Sequence, residues 1–264
     1  MTDFPHLHID IADGVADVVI DKPPVNSLDY ELYAELSSLL DLLESSKDVR
    51  AVMFRSGIKK IFISGADIKD MADYDRRRGA SARKVDTVQA TFTRLQRFAK
   101  PTVVAITGHA LGGGCEFSLC MDFRVMQGGR PRIGQPEVNL GIIPGGGGSQ
   151  RLARLVGRGV ATEMLMLGKI LSAAEAQDIG LIHRVGDSKN DTVEQARALA
   201  AKLATKAPIA IKGIKRALND GVDGDLIAGL AIEREAVIEA LGTKDAEEGV
   251  AAFLEKRDPE WRGE

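Results

Sequence analysis

The central stretch of the chain reads Val103-Val104-Ala105-Ile106-Thr107-Gly108-His109-Ala110-Leu111-Gly112-Gly113-Gly114-Cys115-Glu116. Its first four residues are apolar, which predicts a short buried strand. The glycines then turn the chain, and the residues from Phe117 to Met121 have the composition of a helix. A carboxylate that follows a glycine-rich turn at the start of a helix indicates a candidate active site.

A second carboxylate follows 21 residues later. Glu137 ends the sequence Ile133-Gly134-Gln135-Pro136-Glu137, and four glycines occupy positions 145–148. Glu116 has apolar neighbours, and burial raises the pKa of a carboxyl group towards neutrality. Two glutamates that face one pocket can divide acid and base roles across a water molecule. A single glutamate on a helix is more often solvated or ion-paired, so the prediction depends on the pair.

The glycines allow two interpretations. Their N–H groups lie near a helix start, where free donors and the helix dipole favour a phosphate or a developing oxyanion. They would equally permit close packing of a helix on a strand. Neither G-x-x-x-x-G-K-[ST] nor G-x-G-x-x-G is present, so nucleotide phosphate binding is disfavoured. The absence of G-x-S-x-G disfavours a serine hydrolase.

The segments on either side indicate an α/β fold. Leu7 to Ile20 predicts a hairpin that turns at Asp13-Gly14, and Ala51 to Phe54 predicts a buried strand. Further predicted elements are a helix capped by Asp29 with an apolar stripe, short strands at 61–63 and 182–185, a helix with apolar positions 85–98, and a capping box at 172–175. From Thr192 onward only helices are predicted, over 192–204, 209–219, 225–241 and 245–255. We therefore expect a core domain over residues 1–206 and a C-terminal helical region over 207–264, joined at Lys206-Ala207-Pro208.

Composition excludes several functional classes. Aromatic residues are 5% of the chain and the net charge is -3, which argues against nucleic-acid binding. No apolar run reaches about 18 residues, so we expect no membrane span. The first ten residues lack the pattern of a signal peptide. Cys115 and Cys120 form neither a CxxC knuckle nor a disulfide framework, and a cytoplasmic location fits best.

Other residues are weaker candidates. His109 could act as a base but is more often structural at such a turn, and the remaining histidines, His6, His8 and His183, are scattered and do not suggest a metal site. Asp122 is expected to make a local hydrogen bond or salt bridge, and Cys115 to be a small buried residue. The arginine-rich segment from Asp73 to Lys84 is expected to be a solvated surface segment, or alternatively a basic lip for an anionic ligand.

Four blocks of the chain resemble the enoyl-CoA hydratase/isomerase (crotonase) superfamily. The first is the glycine-rich stretch 108–116 with Cys120-Met121-Asp122. The second is Ser64-Gly65-Ala66-Asp67-Ile68-Lys69. The third joins Gly134-Gln135-Pro136-Glu137 to Leu140-Gly141-Ile142-Ile143-Pro144-Gly145, and the fourth is Phe253-Leu254-Glu255-Lys256-Arg257. The blocks follow the order and spacing of the family and span nearly the whole chain.

This resemblance implies a fold and a set of site residues. The fold would be a spiral of ββα units with a C-terminal helical trimerisation region, in a homotrimer or homohexamer. The backbone N–H groups of Ala66 and Gly113 would hold the oxygen of an acyl-CoA thioester, and Glu116 and Glu137 would be the catalytic pair. The coenzyme A moiety would contact Ala66, Asp67, Ile68, Lys69, Gly113, Phe253 and Lys256, the last two often from a neighbouring subunit. No metal and no cofactor beyond the coenzyme A of the substrate are implied.

The glutamate pair bears on the reaction. Isomerases of the family commonly keep one carboxylate, so two favour an enoyl-CoA hydratase that adds water across the 2,3 double bond. The alternatives are an enoyl-CoA isomerase, a hydrolase, a hydratase of the cyclic or aromatic pathways, or a scaffold or RNA-binding relative without turnover. Three features depart from the usual pattern of the family and leave the acyl group open: the unbroken glycines at 145–148, the basic segment 128–132 and the polar Asn139.

Overall fold

The computed structural model describes residues 4–67 and 78–264, and the side chains of 4–67 and 82–264. In chain order its strands are β1 (Leu7–Ala12), β2 (Val15–Ile20), β3 (Ser27–Leu28), β4 (Ala51–Ser56), β5 (Ile61–Ile63), β6 (Gly65–Ala66), β7 (Thr102–Ile106), β8 (His109–Leu111), β9 (Phe123–Gln127), β10 (Ile133–Gly134), β11 (Ile170–Leu171) and β12 (Arg184–Gly186). Its helices are α1 (Tyr30–Ser45), α2 (Arg78–Gln96), α3 (Gly113–Leu119), α4 (Gly148–Val156), α5 (Arg158–Met166), α6 (Ala173–Asp178), α7 (Lys189–Ala204), α8 (Pro208–Gly221), α9 (Leu226–Leu241) and α10 (Lys244–Glu255), with a 3-10 helix at Glu137–Leu140.

The strands follow a repeating pattern. One strand enters a six-stranded sheet of order β1-β2-β4-β7-β9-β12, and the next enters a four-stranded sheet of order β11-β10-β8-β5. Because β4, β7 and β9 are neighbours in the first sheet, and β5, β8 and β10 are neighbours in the second, each repeat lies beside the one before it. The chain therefore winds as a spiral of strand–strand–helix units, which confirms the predicted fold class.

The hairpin predicted at the start of the chain is present, and it turns at the predicted residues. Strands β1 and β2 pair antiparallel from Leu7 opposite Ile20 to Ala12 opposite Val15. The two connecting residues, Asp13 and Gly14, have φ angles of 50° and 77°. Positive φ at both positions matches the twist of a two-residue hairpin turn. The other pairs in the six-stranded sheet are parallel.

Both faces of this sheet are covered. Helix α1 begins after Asp29, whose side chain accepts a hydrogen bond from the N–H of Leu32, and the stripe predicted for this helix is buried. On the opposite face, α7 packs Ala196 and Ala200 against Met53 and Ala105. Sheet strands with two buried faces are rich in apolar residues, as the 103–106 segment predicted.

Two glycines fix the distance between successive repeats. A Cβ on Gly108 would lie 2.5 Å from backbone atoms of Lys60 and Ile61, and one on Gly114 would lie 2.2 Å from the carbonyl oxygen of Ile63. Real side-chain atoms do not approach so closely. The turn before β8 and the first turn of α3 therefore pack directly against the backbone at β5.

The C-terminal part is helical, as predicted, and the chain bends between Ala204 and Pro208. The end of the chain returns to this bend. Asp245 accepts hydrogen bonds from the N–H groups of Arg262 and Gly263, and the Trp261 indole donates to the Thr205 carbonyl at 2.8 Å. In the part of the chain that is described, no helix is both long and apolar enough to cross a bilayer.

Some predictions differ from the structure. Residues 78–84 belong to α2, so this part of the arginine-rich segment is helical, while residues 73–77 lie outside the described residues. The strand expected at 182–185 covers 184–186, and the helix expected from Phe117 begins four residues earlier, at Gly113. Glycine is a poor helix former, but at a helix start close packing against β5 outweighs this propensity.

One buried ion pair connects α8 to the core. The Lys215 ammonium donates to Asp122, which also accepts from the N–H and hydroxyl of Thr102. Lys215 is buried, and its ammonium also donates to the Lys100 carbonyl. Asp122 was expected to make a local hydrogen bond or salt bridge. It makes both kinds of contact, but its partners Thr102 and Lys215 lie 20 and 93 residues away in sequence.

Replacing Lys215 with Met should destabilise the protein by about 3 kcal/mol, because it leaves a partly buried carboxylate without its cation. The matched control is Lys212→Met on the same helix, whose exposed pair with Glu239 should contribute less than about 1 kcal/mol. Urea unfolding followed by circular dichroism measures both. Equal losses from the two variants would contradict the assigned importance of the buried pair.

Candidate active site

Helix α3 carries Glu116 into the interior. Phe117, the next residue, is fully buried and contacts the rings of Phe54, Phe62 and Phe92, with centroid distances of 5.4, 5.9 and 6.2 Å. Such edge and tilted aromatic contacts fix a ring more firmly than apolar burial alone. The cluster thereby holds the helix in one rotation, and this rotation sets the direction of the neighbouring glutamate.

The Glu116 carboxylate is held by main-chain donors. Its Oε1 accepts hydrogen bonds from the N–H groups of Gly146 and Gly148, both at 2.7 Å. Only 4% of the residue is exposed. Burial raises the pKa of Glu116 above its usual value, while the two N–H groups and the charge of Arg151 act in the opposite direction. Burial therefore disfavours the charged form of Glu116, and the two N–H groups and the arginine offset part of that effect.

Glu137 lies at the start of the 3-10 helix, directly after Pro136. Its Oε1 lies 3.1 Å from the position that a Cβ on Gly112 would take, so the carboxyl group lies over the turn that leads into α3. Burial and the nearby charge of Glu116 raise the pKa of Glu137 to about 7. The two glutamates are therefore electrostatically coupled across the start of α3.

Gln135 is a site residue that the sequence reasoning did not identify. It is buried, and its amide is assigned with the nitrogen towards Glu137, where it donates to Oε1 at 2.9 Å and to Oε2 at 3.2 Å. The opposite orientation would set its oxygen against carboxylate oxygens. This donor favours the ionised form of Glu137 and so acts against the burial that raises the pKa. A polar residue beside Pro136-Glu137 at a buried strand end was the available signal.

The backbones of Ala66 and Gly113 meet at the same place. A Cβ on Gly113 would lie 3.6 Å from the nitrogen of Ala66, although the two residues are far apart in sequence. Gly113 is the first residue of α3, where the helix offers no acceptor for its N–H. In the parallel pair β3–β6 the N–H of Asp67 faces Leu28, so the N–H of Ala66 points to the other edge. The two segments that carry these donors are therefore in contact, beside the turn at Gly112 over which the Glu137 carboxyl lies.

The other residues predicted to contact coenzyme A lie in two separate parts of the chain. Asp67 follows Ala66 directly, and its carboxylate accepts from the Ser27 hydroxyl at 3.1 Å. Ile68 and Lys69 lie outside the described residues. Phe253 is 83% exposed at the end of α10, and Lys256 caps that helix with a φ of 57°. Within this chain, the site combines Ala66, Gly113, Glu116 and Glu137 but leaves Phe253 on the surface.

Both cysteines and two of the histidines that were weaker candidates are buried or hydrogen-bonded to other residues of the chain. Cys115 and Cys120 are free, buried thiols whose pKa values are raised by burial, and Cys115 was expected to be such a small buried residue. His183 accepts from the Arg124 N–H at 3.2 Å, and burial lowers its pKa to about 4. The histidines were not expected to suggest a metal site, but the possible ligand atoms of His6, Glu31 and Glu35 lie within 4.8 Å of one another. The Nδ1 of His6 is 2.6 Å from Glu35 Oε1. Glu31, the third member of this group, also forms an ion pair with Lys22.

Together these groups define a class of active site. Two adjacent N–H donors can stabilise negative charge that develops on an oxygen, and two carboxyl groups with different surroundings can exchange protons. This arrangement suits reactions that pass through an enolate and move protons at neighbouring carbons.

Comparisons with known proteins identify the family. The sequence profile described as enoyl-CoA hydratase/isomerase matches residues 10–264. The chain is 38% identical over 248 residues to the short-chain-enoyl-CoA hydratase of Clostridium acetobutylicum, covering 92% of each chain. It is 39% identical over 238 residues to the 2,3-dehydroadipyl-CoA hydratase of Escherichia coli, covering 90% of this chain and 91% of that relative. The chain belongs to the enoyl-CoA hydratase/isomerase family.

Solved structures agree with this assignment. The enoyl-CoA hydratase of Geobacillus kaustophilus HTA426 superposes with a TM-score of 0.94 at 34% identity, over 100% of this chain and 98% of that one. The enoyl-CoA hydratase of Bacillus anthracis superposes with a TM-score of 0.91 at 35% identity, over 98% of this chain and 100% of that one. The similarity covers both the core and the C-terminal helices.

Introducing a methyl group at Gly148 should disable the site. A Cβ there would lie 2.9 Å from Glu116 Oε1 and 2.5 Å from the end of the Gln135 amide. Gly148→Ala should therefore displace both side chains and lower the turnover of crotonyl-CoA by roughly 10- to 100-fold, as misplaced catalytic groups do.

The control is Gly145→Ala in the same loop, where an added Cβ would meet nothing within 4 Å. This variant should retain activity within about twofold, since it disturbs neither carboxylate. Steady-state kinetics and circular dichroism compare the two proteins. Equal activity in both variants would show that the close packing around Glu116 is unnecessary for turnover.

Proposed function

We propose that this protein is an enoyl-CoA hydratase that adds water across the 2,3 double bond of an acyl-CoA thioester. Family membership and the hydratases among its relatives support this activity. The observation that carries the proposal is the pair of coupled glutamates, Glu116 and Glu137, beside the adjacent N–H groups of Ala66 and Gly113. Its two parts match the two demands of hydration, a stabilised enolate and a paired proton donor and acceptor.

The N–H groups of Ala66 and Gly113 would bind the thioester oxygen. As water attacks the β-carbon, the electron pair of the double bond moves to the α-carbon and onto this oxygen, giving an enolate. Donors already in place stabilise that charge without reorganisation, and each good donor contributes about 2.7 to 4 kcal/mol to the transition state.

The surroundings of the glutamates suggest separate roles. Glu116, whose carboxylate accepts two N–H hydrogen bonds, would take the proton from the attacking water. Glu137, whose pKa is raised to about 7, would give its proton to the α-carbon as the thioester carbonyl re-forms. The product is a 3-hydroxyacyl-CoA, and one proton has moved onto Glu116 and one off Glu137. Proton exchange with solvent restores both groups.

The presence of two glutamates favours hydration over isomerisation, which needs only one group to shuttle a proton. The relatives named as hydratases take different acyl groups: their names include short-chain-enoyl-CoA, 2,3-dehydroadipyl-CoA and methylglutaconyl-CoA. The acyl group of this protein is therefore best found with a panel containing crotonyl-CoA, a 3-enoyl-CoA and a cyclic dienoyl-CoA.

Coenzyme A would bind along the start of α3 and the segment after β6. We place Ala66, Asp67, Ile68, Lys69 and Gly113 beside its thioester and pantetheine, while Phe253 and Lys256 would contact the adenine end on a neighbouring subunit. The exposure of Phe253 is consistent with a contact made outside its own subunit. The mechanism uses only these groups and the two glutamates, and requires no metal or additional cofactor.

The substitution Glu137→Gln should abolish hydration of crotonyl-CoA and preserve its binding, because the amide is similar in size but cannot supply the proton. In the unmodified protein, kcat should fall as the pH rises through about 7, since the protonated fraction of Glu137 falls over that range. Isothermal calorimetry measures binding, and the change in absorbance of the enoyl thioester measures the rate.

Glu163→Gln provides the control for this experiment, because Glu163 is exposed and pairs with Lys169. Full activity in Glu137→Gln would remove Glu137 from the mechanism. Binding of crotonyl-CoA without turnover by the unmodified protein would instead favour a non-catalytic relative.

We further propose that the protein forms a homotrimer or homohexamer through its C-terminal helical region, residues 207–264, with residues 1–206 as the core domain. Large apolar side chains in this region are unusually exposed, among them Val222, Leu226, Ile227, Leu241, Phe253 and Leu254. An exposed apolar surface of this kind is typical of an interface between subunits. The protein would work in the cytoplasm, where its two buried thiols would stay reduced.

Replacing Ile227, which is 74% exposed, with Asp should dissociate the oligomer, because an unpaired charge would be buried at the interface. Size-exclusion chromatography with light scattering should show a smaller species with native circular dichroism. The control is Glu233→Gln on the same helix, which should not change the mass. An unchanged mass for Ile227→Asp would place the interface elsewhere.

A further inference from the structure

Arg151 connects the run of glycines at 145–148, here called the glycine loop, to helix α2. Its Nη1 donates to the Gly146 carbonyl at 2.6 Å, and its Nε donates to the side-chain oxygen of Gln96 at 2.7 Å. Its Nη2 lies 3.3 Å from the Thr93 hydroxyl. Since the planar guanidinium offers its donors in a rigid fork, these three acceptors fix its position.

The glycine loop accommodates this side chain closely. A Cβ on Gly147 would lie 2.0 Å from Arg151 Nη1, so the guanidinium lies directly against the loop backbone. Gly147 also has a φ of 100°, which other residues rarely adopt. Gly147 therefore leaves room for the guanidinium. It lies between Gly146 and Gly148, whose N–H groups donate to Glu116.

The contacts form a continuous link to the catalytic carboxylate. Arg151 holds the carbonyl of Gly146, and the N–H of the same glycine donates to Glu116 Oε1. On the other side, Gln96 exchanges hydrogen bonds with Asn219 on α8. Removing the Arg151 side chain would remove the hydrogen bond that holds Gly146, the residue whose N–H donates to Glu116.

On this basis, and resting on the proposed hydratase function, we propose that Arg151 is a positioning residue. It holds Gly146 where its N–H binds Glu116, and its positive charge favours the ionised form of Glu116 that would remove a proton from water. Arg151 itself touches neither the thioester nor the double bond in this role.

The other groups around Glu116 do not supply that positive charge. The titratable groups that act on Glu116 or feel its charge are Tyr33 on α1, Cys115 on α3, Cys120 directly after α3, and Glu137 in the 3-10 helix. The phenol and the thiols are neutral because burial raises their pKa values, and Glu137 can add only negative charge. Among these described groups, Arg151 is the one whose positive charge lowers the pKa of Glu116.

The test compares Arg151→Gln with Arg151→Lys, and uses Arg154→Gln as the matched control. Arg154 lies on the same helix, but its exposed side chain pairs with Asp223. Two measurements are made on each protein: kcat and KM with crotonyl-CoA, and the titration of the Glu116 carboxyl by 13C NMR of glutamate-labelled protein, assigned with Glu116→Gln.

In Arg151→Gln the Glu116 titration should move to higher pH, and kcat should fall roughly 10- to 100-fold, with KM nearly unchanged. Arg151→Lys, which keeps the charge but loses the fork, should restore the titration and only part of kcat. Arg154→Gln should change neither. An unmoved titration in folded Arg151→Gln, an equal shift in Arg154→Gln, or a change confined to KM would overturn the proposal.

Two further outcomes remain distinguishable. If Arg151→Gln does not fold, Arg151→Lys decides: reduced kcat with unchanged KM supports the positioning role, and unchanged kcat overturns it. If the unmodified protein hydrates no acyl-CoA of the panel while Arg151→Gln still shifts the Glu116 titration, the hydratase function fails and the placement of Arg151 stands.

Discussion

The structure of the site depends on the two main-chain hydrogen bonds that Glu116 accepts. A carboxylate that is 4% exposed would lose several kcal/mol of solvation if it carried its charge without partners. Gly146 and Gly148 provide these partners at 2.7 Å. The loop between Pro144 and α4 must therefore come within hydrogen-bonding distance of α3, and this requirement explains why its glycines face the carboxylate at such close range.

The same constraint separates the chemistry of the two acids. Glu116 accepts its hydrogen bonds from main-chain N–H groups of the loop. Glu137 accepts from the Gln135 amide and lies within the electrostatic field of Glu116. The charge on one carboxylate raises the pKa of the other, so a shared site favours one ionised and one protonated group. The two glutamates therefore do not titrate independently of each other.

Much of the fold could be predicted from local patterns. Asp13-Gly14, the Asp29 cap and the 172–175 capping box each act over a few residues, and each prediction is confirmed. Strand β10 has only two residues, and α4 begins within a run of glycines, so neither offered a periodic signal. Tertiary packing determines both elements, and local sequence patterns carry no information about such packing.

The site shows the same division. The residue types and spacing pointed to Glu116 and Glu137, whereas the resemblance to the family pointed to Ala66 and Gly113. The roles of these four residues remain predictions. Gln135 was missed because its importance lies in a hydrogen bond whose partner is two residues away on a bent backbone. The bond from Gly148 to Glu116 was likewise invisible, since it joins positions 32 residues apart.

The contact between Gly108, Gly114 and the backbone at β5 has a consequence for how such a protein can diverge. At both positions even one additional carbon would collide with main-chain atoms, which cannot move aside as a side-chain tip can. A gene duplicate that acquires a new acyl preference can vary the residues that line the substrate chain. It cannot vary these two glycines without rebuilding the strand they touch, so the catalytic frame is passed on intact while the specificity changes.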